Sequence, residues 1–395
     1  MVSEMDLKAV CLKYEKKVID LRREFHMHPE LSFQEIRTAQ RVREELDKAG
    51  IAWENVPDTH SVIGIVKGAH PGKTIALRAD MDGLPMQEES EPPYKSQTEG
   101  VMHACGHDAH VAMLLGAAMT VNEAKEELAG EALFCFQSGE ETGSGALKII
   151  EYLEKRGGVD RMIGLHIWAS FKEGTIVLLD GPTMAGAVGI EICVTGQGGH
   201  GSRPDLAKDP VKAACDLALK ISSIPSNFYD VLDHSVVHVG SIQSGTIGNI
   251  FPDKAILKCG CRYFKPGGGD KIMAHMRRMA EGVALIYDVD IEVTVKGQAP
   301  STINNPEAAA RARELVRDVD GLEVDSKQQP ICASDDYAYY LEKYPGFYGF
   351  LGAMNEEKGI IWTQHNSKFD VDETALRKGY EFMSRYTVDF LKPQK

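Results

Sequence analysis

The sequence of 395 residues has no surplus of positive charge: 44 basic side chains stand against 58 acidic ones, for a formal net charge of −14. Negative charge repels phosphate backbones and anionic membrane surfaces, so neither a nucleic acid nor a membrane is expected as a partner. The sequence also lacks any stretch approaching the roughly 18 apolar residues of a membrane span. The charge does not distinguish among small-molecule substrates.

Closely spaced cysteines are absent as well. The eight cysteines are scattered along the chain, whereas small secreted domains space theirs densely, so we expect reduced thiols. Residues 1–21 include Glu4, Lys8 and Lys13 among other charged side chains and lack the unbroken apolar core of a signal peptide. Together these features predict a cytoplasmic protein.

Apolar strands alternate with helices over residues 1–185, and the same pattern resumes over residues 301–395. The pattern predicts helices within 7–50, at 107–120, 145–156, 306–316 and 373–391, and strands at 61–66, 74–79, 131–137, 162–166 and near Gly349. Such alternation is typical of an α/β domain with a mixed, largely parallel sheet layered with helices.

Residues 186–300 follow a different order, which is strand, helix, strand, strand, helix, strand. This is the ferredoxin-like order, an antiparallel four-stranded sheet with two helices on one face. About 110 residues make a complete small domain. We therefore predict an α+β domain at 186–300 inserted into an α/β domain formed by 1–185 and 301–395.

The densest chemistry lies in the motif MHACGHDAH, at residues 102–110. Cys105 and His107 flank a glycine and can turn towards one point where a loop enters a helix. Thiolate and imidazole suit zinc and other borderline metals. Asp108 and His110 either support such a site or face the helix, and ordinary polar residues at a helix entry are the simpler alternative.

A second motif, FQSGEETG, places Glu140 and Glu141 after an apolar strand. Adjacent buried carboxylates repel each other unless cations neutralise them. A metal ion resolves that conflict if one carboxylate is a ligand and the other stays free as a base. A solvated Glu-Glu pair is the competing interpretation.

Further candidate ligands lie at the ends of other apolar segments. Asp80 and Asp82 end a strand, His166 ends another apolar run, and His365 lies in a polar loop before the last helix. Open α/β sheets hold their sites at the carboxyl ends of strands. A single histidine is more often structural, but five such loops together indicate a metal site.

Read in order, RADMDGLP, MHACGHDAHVA, FQSGEET, GLH, GQGGHGSRP, GNIFPD and HNSKFDVDE resemble the M20 family of metallo-amidohydrolases. The resemblance is to the branch of aminoacylases, hippurate hydrolases and auxin-conjugate hydrolases. It implies two divalent metal ions per subunit, zinc or manganese with cobalt or nickel also possible. Their implied ligands are Cys105, His107, Glu141, His166 and His365. Glu140 would be the catalytic base, and Asp80 and Asp82 would be supporting carboxylates.

The resemblance also assigns roles to the inserted domain, which in this family is a lid that commonly mediates dimerisation. His200, in GGHGS, resembles the residue that polarises the scissile carbonyl, often in a partner subunit's site. Asn249 and Arg262 match positions that contact the substrate carboxylate. A homodimer or homotetramer assembled through this domain is expected.

The implied reaction is metal-dependent hydrolysis of N-acyl amino acids, such as N-acetyl or N-benzoyl conjugates, to an amino acid and a carboxylic acid. A dinuclear-metal dipeptidase or carboxypeptidase is the main alternative. The others are a cysteine hydrolase with Cys105 as nucleophile and a ligand-binding protein on an inactive scaffold. Three segments depart from the branch pattern and bear on the pocket's shape: QSGEET, ASDDY at 333–337, and Arg203 after the lid histidine.

Overall fold

The computed structural model describes residues 6–230 and 232–393. The predicted helices and strands are present, with bounds that differ by a few residues. The α-helices are α1 (Leu7–Met27), α2 (Ile36–Lys48), α3 (His107–Glu123), α4 (Gly145–Lys155), α5 (Pro210–Ser222), α6 (Ile224–Phe228), α7 (Gly268–Tyr287), α8 (Pro306–Val316), α9 (Ala338–Lys343) and α10 (Thr374–Phe390). The strands are β1 (Ala52–Asn55), β2 (Val62–Lys67), β3 (His70–Asp80), β4 (Ala129–Gln137), β5 (Arg161–Lys172), β6 (Thr175–Val177), β7 (Gly181–Met184), β8 (Gly186–Thr195), β9 (Gly199–His200), β10 (Ser235–Ser244), β11 (Ile250–Phe251), β12 (Lys254–Tyr263), β13 (Asp290–Ala299), β14 (Thr302–Asn304), β15 (Glu323–Val324) and β16 (Gly346–Met354).

The chain divides into two compact units. Unit 1 comprises the residues up to Gly181, Ile303–Gln329 and the residues from Asp335 onward, and unit 2 comprises Pro182–Thr302 and Pro330–Ser334. The sequence analysis assigns residues 330–334 to the α/β domain, whereas the structure places them in unit 2. There the carbonyl of Ile331 accepts a hydrogen bond from the N–H of Ala185 at 3.0 Å.

Unit 1 is built on an eight-stranded sheet in the order β1-β2-β4-β3-β5-β16-β6-β15. The inner strands β4, β3, β5 and β16 pair in parallel, whereas β1 and β2 extend the sheet in antiparallel fashion. Successive residues of β4 and β16 are buried, which requires cover on both faces of the sheet. The predicted fold class, a mixed and largely parallel sheet layered with helices, is confirmed.

Helix α3 runs through the interior of unit 1 and is buried along most of its length because its side chains are almost all small or apolar. Helices α1 and α10 pack against it. A Cβ added at Gly116 would lie 2.8 Å from Cγ2 of Val18 and 3.0 Å from Cγ of Tyr380, so the glycine permits this close packing. Among the residues that the model describes, no helix has both the length and the hydropathy to cross a membrane.

Unit 2 contains an antiparallel sheet in the order β10-β12-β8-β13. Buried and partly exposed residues alternate along β8, so one face of the sheet forms a core and the other does not. Helices α5 and α7 contribute to that core, which includes Ile192, Leu217 and Met276. Strand order and connections are those of the ferredoxin-like motif.

Candidate metal centre and active site

The candidate ligands of unit 1 meet because parallel strands end at the same edge of a sheet. Strand β3 ends at Asp80, β4 leads into the loop with Glu140 and Glu141, and a left-handed turn at Gly106 opens α3. Gly106 has φ +88°, and a Cβ there would lie 2.5 Å from Cγ2 of Ile167. Only glycine fits between Cys105 and the helix without strain.

Two sets of possible metal ligands share one residue. Cys105, His107 and His166 have ligand atoms within 4.8 Å of one another, and so do Cys105, Glu141 and His365. The five residues are those that the sequence resemblance implies. Cys105 belongs to both sets, and together these five residues would hold two cations.

The two buried histidines have the hydrogen bonding that metal ligands require. Nδ1 of His107 donates to the carbonyl of Asp82 at 2.8 Å, and Nδ1 of His166 donates to that of Ile167 at 2.6 Å. In the neutral rings both Nε2 atoms are then without a proton. Nε2 of His107 is buried without a hydrogen bond, with carboxylate oxygens of Asp80 and Glu141 at 3.6 and 3.9 Å. Nε2 of His166 lies 3.5 Å from Sγ of Cys105. The donor set therefore fits a divalent metal ion.

Glu141 and His365 are the other two members of the second ligand set. Oε1 of Glu141 is buried without a hydrogen bond and lies 3.5 Å from Nε2 of His365. His365 has φ +61°, an uncommon conformation for a histidine, and its N–H donates to the carbonyl of Ala104 at 2.8 Å. The neighbouring Cys105 thiol and Glu141 carboxylate raise the pKa of His365 to about 10. The backbone thus holds His365 at the cluster.

Asp82 orients the carboxylate loop. Its carboxylate accepts the N–H of Glu140 at 3.2 Å and that of Glu141 at 3.0 Å, and it lies 3.3 Å from Nδ1 of His107. Burial disfavours its charge, but His107 and Ser32 hold the pKa of Asp82 below its ordinary value. Asp82 therefore links both candidate ligand segments.

His110 and Asp108 belong to the same motif as His107 but face other partners. Nε2 of His110 accepts the N–H of Ile167 at 2.8 Å, so Nδ1 carries the proton and donates to Asp80 at 2.5 Å. Both nitrogens are occupied, which excludes His110 as a ligand in this conformation. Asp108 accepts hydrogen bonds from Arg22 at 2.8 Å inside the helical layer.

Glu140 stands beside two carboxylates that the sequence analysis did not include among the site residues. Carboxylate oxygens of Glu140, Asp335 and Asp336 lie within 4.8 Å of one another, and all three residues are buried. Burial and the charges of Asp335, Asp336 and Glu141 raise the pKa of Glu140 well above its ordinary value. A raised pKa makes the Glu140 carboxylate a stronger proton acceptor, as a general base requires.

Arg78 is a buried cation beside these carboxylates, and it was not predicted as a site residue either. Its guanidinium donates to Asp80 at 2.5 Å, to Asp336 at 2.7 Å and to Gln137 at 2.9 Å. The signal was present in the sequence, because an arginine inside an apolar strand requires buried acidic partners. Asp335 and Asp336, like Glu140 and Glu141, are adjacent carboxylates that repel each other when buried, so they too carried a signal for a site.

The candidate residues of unit 2 fall at two places. Strands β9 and β11 pair His200 with Ile250, and the carbonyl of Asn249 accepts the N–H of Gly201 at 2.8 Å, so His200 and Asn249 are neighbours. Arg262 lies near the far end of β12, roughly 26 Å along the strand from its start at about 3.3 Å per residue. Most of the length of β12 therefore separates Arg262 from the segment that contains Asn249.

The tautomer of His200 follows from its neighbours. The backbone N–H of Ser202 donates to Nδ1 of His200 at 3.1 Å, so in the neutral ring the proton is on Nε2. Both His200 and Asn249 are exposed. His200 therefore presents a hydrogen-bond donor at the surface of unit 2.

A mixed α/β unit with a Cys, His and Glu cluster at its strand ends, interrupted in sequence by a ferredoxin-like unit, is typical of metal-dependent hydrolases. The family model of peptidase family M20/M25/M40 matches residues 76–389, and the chain belongs to that family. The resemblance noted in the sequence is thus confirmed. The protein is a metal-dependent hydrolase of amide bonds.

Curated relatives span nearly the whole chain. Thermostable carboxypeptidase 1 of Saccharolobus solfataricus is 38% identical over 94% of this chain and 95% of its own. N-acetylcysteine deacetylase of Bacillus subtilis is 35% identical, with 97% and 99% covered. IAA-amino acid hydrolase ILR1-like 5 of Arabidopsis thaliana is 33% identical, with 95% and 86% covered.

A solved structure shares the fold. The YXEP protein of Bacillus subtilis, described as a dinuclear metal binding peptidase from the M20 family, aligns with a TM-score of 0.82. The two sequences are 33% identical over 96% of this chain and 99% of that one. The two metal ions in the description of that protein are consistent with the two ligand sets of unit 1.

Proposed function

We propose that the protein hydrolyses the amide bond of N-acyl amino acids, releasing a free amino acid and a carboxylic acid. One observation carries the proposal: buried Glu140 lies beside two ligand sets that share Cys105. The names of the deacetylase and of the auxin-conjugate hydrolase support an acyl conjugate as substrate.

Cys105, His107, Glu141, His166 and His365 would hold two divalent ions, zinc or manganese with cobalt or nickel also accommodated. Bound ions supply Lewis acidity that polarises the substrate carbonyl and favours ionisation of water. Glu140 accepts the proton of the attacking water and delivers it to the leaving nitrogen. Its neighbours Asp335 and Asp336 strengthen its hold on that proton between the two transfers.

The residues of unit 2 serve the substrate in this proposal. The Nε2–H of His200 donates to the developing oxyanion, and Asn249 and Arg262 bind the substrate. Because Arg262 lies far along β12 from Asn249, we assign the two residues to different contacts. The proposal also makes unit 2 a lid and the surface through which a cytoplasmic homodimer or homotetramer assembles.

A dipeptidase or carboxypeptidase is the second candidate, because the carboxypeptidase relative is 38% identical. The purified protein, stripped of metal and reloaded with zinc, manganese, cobalt or nickel in turn, is assayed on N-acetyl amino acids, N-benzoyl amino acids and dipeptides. Faster turnover of acyl conjugates supports our proposal, and faster turnover of dipeptides replaces it with the second candidate.

A cysteine hydrolase would use Cys105 as nucleophile, and chelation separates it from metal hydrolysis. We expect a chelator to abolish activity and added metal to restore it. Activity that survives chelation but is lost to iodoacetamide would instead assign the nucleophile to a thiol. An inactive scaffold would cleave no member of the panel with any metal.

A further inference from the structure

Phe33 combines a strained backbone with an exposed aromatic ring. Its φ is +62°, and 44% of the residue is exposed. The left-handed region is unfavourable for a bulky side chain, and an exposed ring gains little from folding. Such costs persist mainly where a residue has a functional role.

The ring of Phe33 lies directly against the carboxylate loop. A Cβ added at Gly139 would come within 2.4 Å of Cε1 and 2.5 Å of Cζ of Phe33. Gly139 itself has φ +75° and immediately precedes Glu140. The ring therefore forms an apolar surface next to the candidate catalytic base.

The residues on both sides of Phe33 are fixed to the same loop. The Glu35 carboxylate accepts the N–H of Gly139 at 2.8 Å and the hydroxyl of Ser138 at 2.5 Å. Ser32 donates its hydroxyl to Asp82 at 2.7 Å, and Asp82 also accepts the N–H of Glu141. Hydrogen bonds on either side thus hold the segment that carries Phe33 against the carboxylate loop.

We propose that Phe33 contacts a bulky apolar substituent of the substrate and thereby determines specificity. The inference rests on the amide hydrolysis proposed above and adds a class of substrate to it. A flat ring on a rigid support binds an aromatic or branched apolar group better than a methyl group. The substituent is either the acyl group or the amino-acid side chain, and the test separates the two.

The test replaces Phe33 by Gly or Asn, which both tolerate a left-handed backbone. The metal-loaded protein is assayed on N-acetyl- and N-benzoyl-alanine, which differ in the acyl group, and on N-acetyl-alanine and N-acetyl-phenylalanine, which differ in the side chain. In one of the two substrate pairs, we expect the Phe33 substitutions to lower kcat/KM for the bulkier substrate about tenfold relative to kcat/KM for the smaller one. The Tm should stay level or rise, because the strain is relieved.

Asp58→Gly is the matched control. Asp58 has φ +60° and is exposed in the turn between β1 and β2, so the substitution relieves similar strain without touching the carboxylate loop. It should leave both substrate ratios unchanged. A lowered Tm with equal losses on all substrates in both Phe33 variants would show that Phe33 only packs on Gly139, and would overturn the inference.

Failure of the proposed function gives a different result. If the wild-type protein cleaves dipeptides instead, the same comparison is made on alanyl and phenylalanyl dipeptides. Calorimetry adds a readout that needs no turnover, namely the binding of benzoate and acetate to the metal-loaded protein. If the substituent is the acyl group, benzoate should bind more weakly to the Phe33 variants than to the wild type, with acetate unchanged. Equal benzoate affinity in all proteins would assign the contact to the amino-acid side chain, and unchanged substrate ratios in both pairs as well would overturn the inference.

Discussion

The two units present their candidate functional residues in different ways. In unit 1 Cys105, His107 and His166 are buried, Glu141 is partly buried and His365 is exposed. Nε2 of His107 and Oε1 of Glu141 are buried without a hydrogen bond. In unit 2 His200 and Asn249 are exposed, and Nδ1 of His200 is satisfied by Ser202. Buried polar atoms without partners are costly, whereas exposed ones are hydrated at no such cost.

This difference determines how far geometry alone can assign a role to the candidate residues of each unit. The buried ligand atoms of unit 1 that lack hydrogen bonds are costly unless cations bind them, so they support metal binding. The residues of unit 2 carry no such penalty, so only a kinetic measurement can establish their role. Substitutions of the five proposed ligands in unit 1 should alter metal content, and those of the candidate residues in unit 2 should alter turnover alone.

The largest expected effect is that of Glu140→Gln. The amide cannot accept the proton of the attacking water, so kcat should fall about 10³-fold. Metal content, measured by elemental analysis, should stay the same because Glu140 is not among the five proposed ligands. A variant with near-normal kcat would remove Glu140 from the mechanism.

Cys105→Ala removes the atom that both ligand sets share. We expect metal content to fall for both sites together, and activity with it. Elemental analysis after dialysis against metal-free buffer measures this result. A variant that retains its full metal content and activity would show that Cys105 is not a ligand.

Arg78→Met tests the buried charges of unit 1. The variant leaves Asp80 and Asp336 buried without their cation, which should lower the free energy of unfolding by about 3–5 kcal/mol. The matched control is Arg203→Met in unit 2, where the pair with Asp205 is exposed, and no measurable change is expected. Equal losses in urea titrations of the two variants would contradict the contrast between the units.

His200→Ala should lower kcat about 10²- to 10³-fold through loss of the oxyanion donor. Metal content and Tm should not change, because the side chain is exposed. His238→Ala, which removes another exposed histidine of unit 2, is the control and should leave kcat unaltered. Wild-type kinetics in His200→Ala would leave His200 without a catalytic role.

Glu35→Gln has the smallest expected effect, seen in the pH dependence of stability. Burial raises the pKa of Glu35 from 4.5 to about 7. Its contribution to stability is therefore fully present below pH 4.5 and is lost as the pH rises through 7. The variant should become more stable than the wild type by up to about 3 kcal/mol over that interval. Parallel curves of unfolding free energy against pH would show that the carboxyl titrates normally.

Periodicity and local motifs predicted most of the fold. Helix α3 and strand β4 were found within a few residues because their side-chain patterns are local. Short strands such as β9 and β11 were missed, since a two-residue pairing has no pattern of its own. The strand with His166 was predicted too short, because parallel pairing with β16 extends it to Lys172.

The sequence by itself determined the chemistry available to the protein: which segments carry thiol, imidazole and carboxylate, and where a glycine lets Cys105 and His107 turn together. Only the tertiary structure decided which of those groups meet. It leaves Nε2 of His107 without a hydrogen bond and pairs Nε2 of His110 with a backbone N–H. It also brings Asp335 close to Glu140, which lies 195 residues earlier in the sequence. The reason is physical: side-chain identity and periodicity are local properties, whereas burial and charge pairing depend on the packing of distant segments.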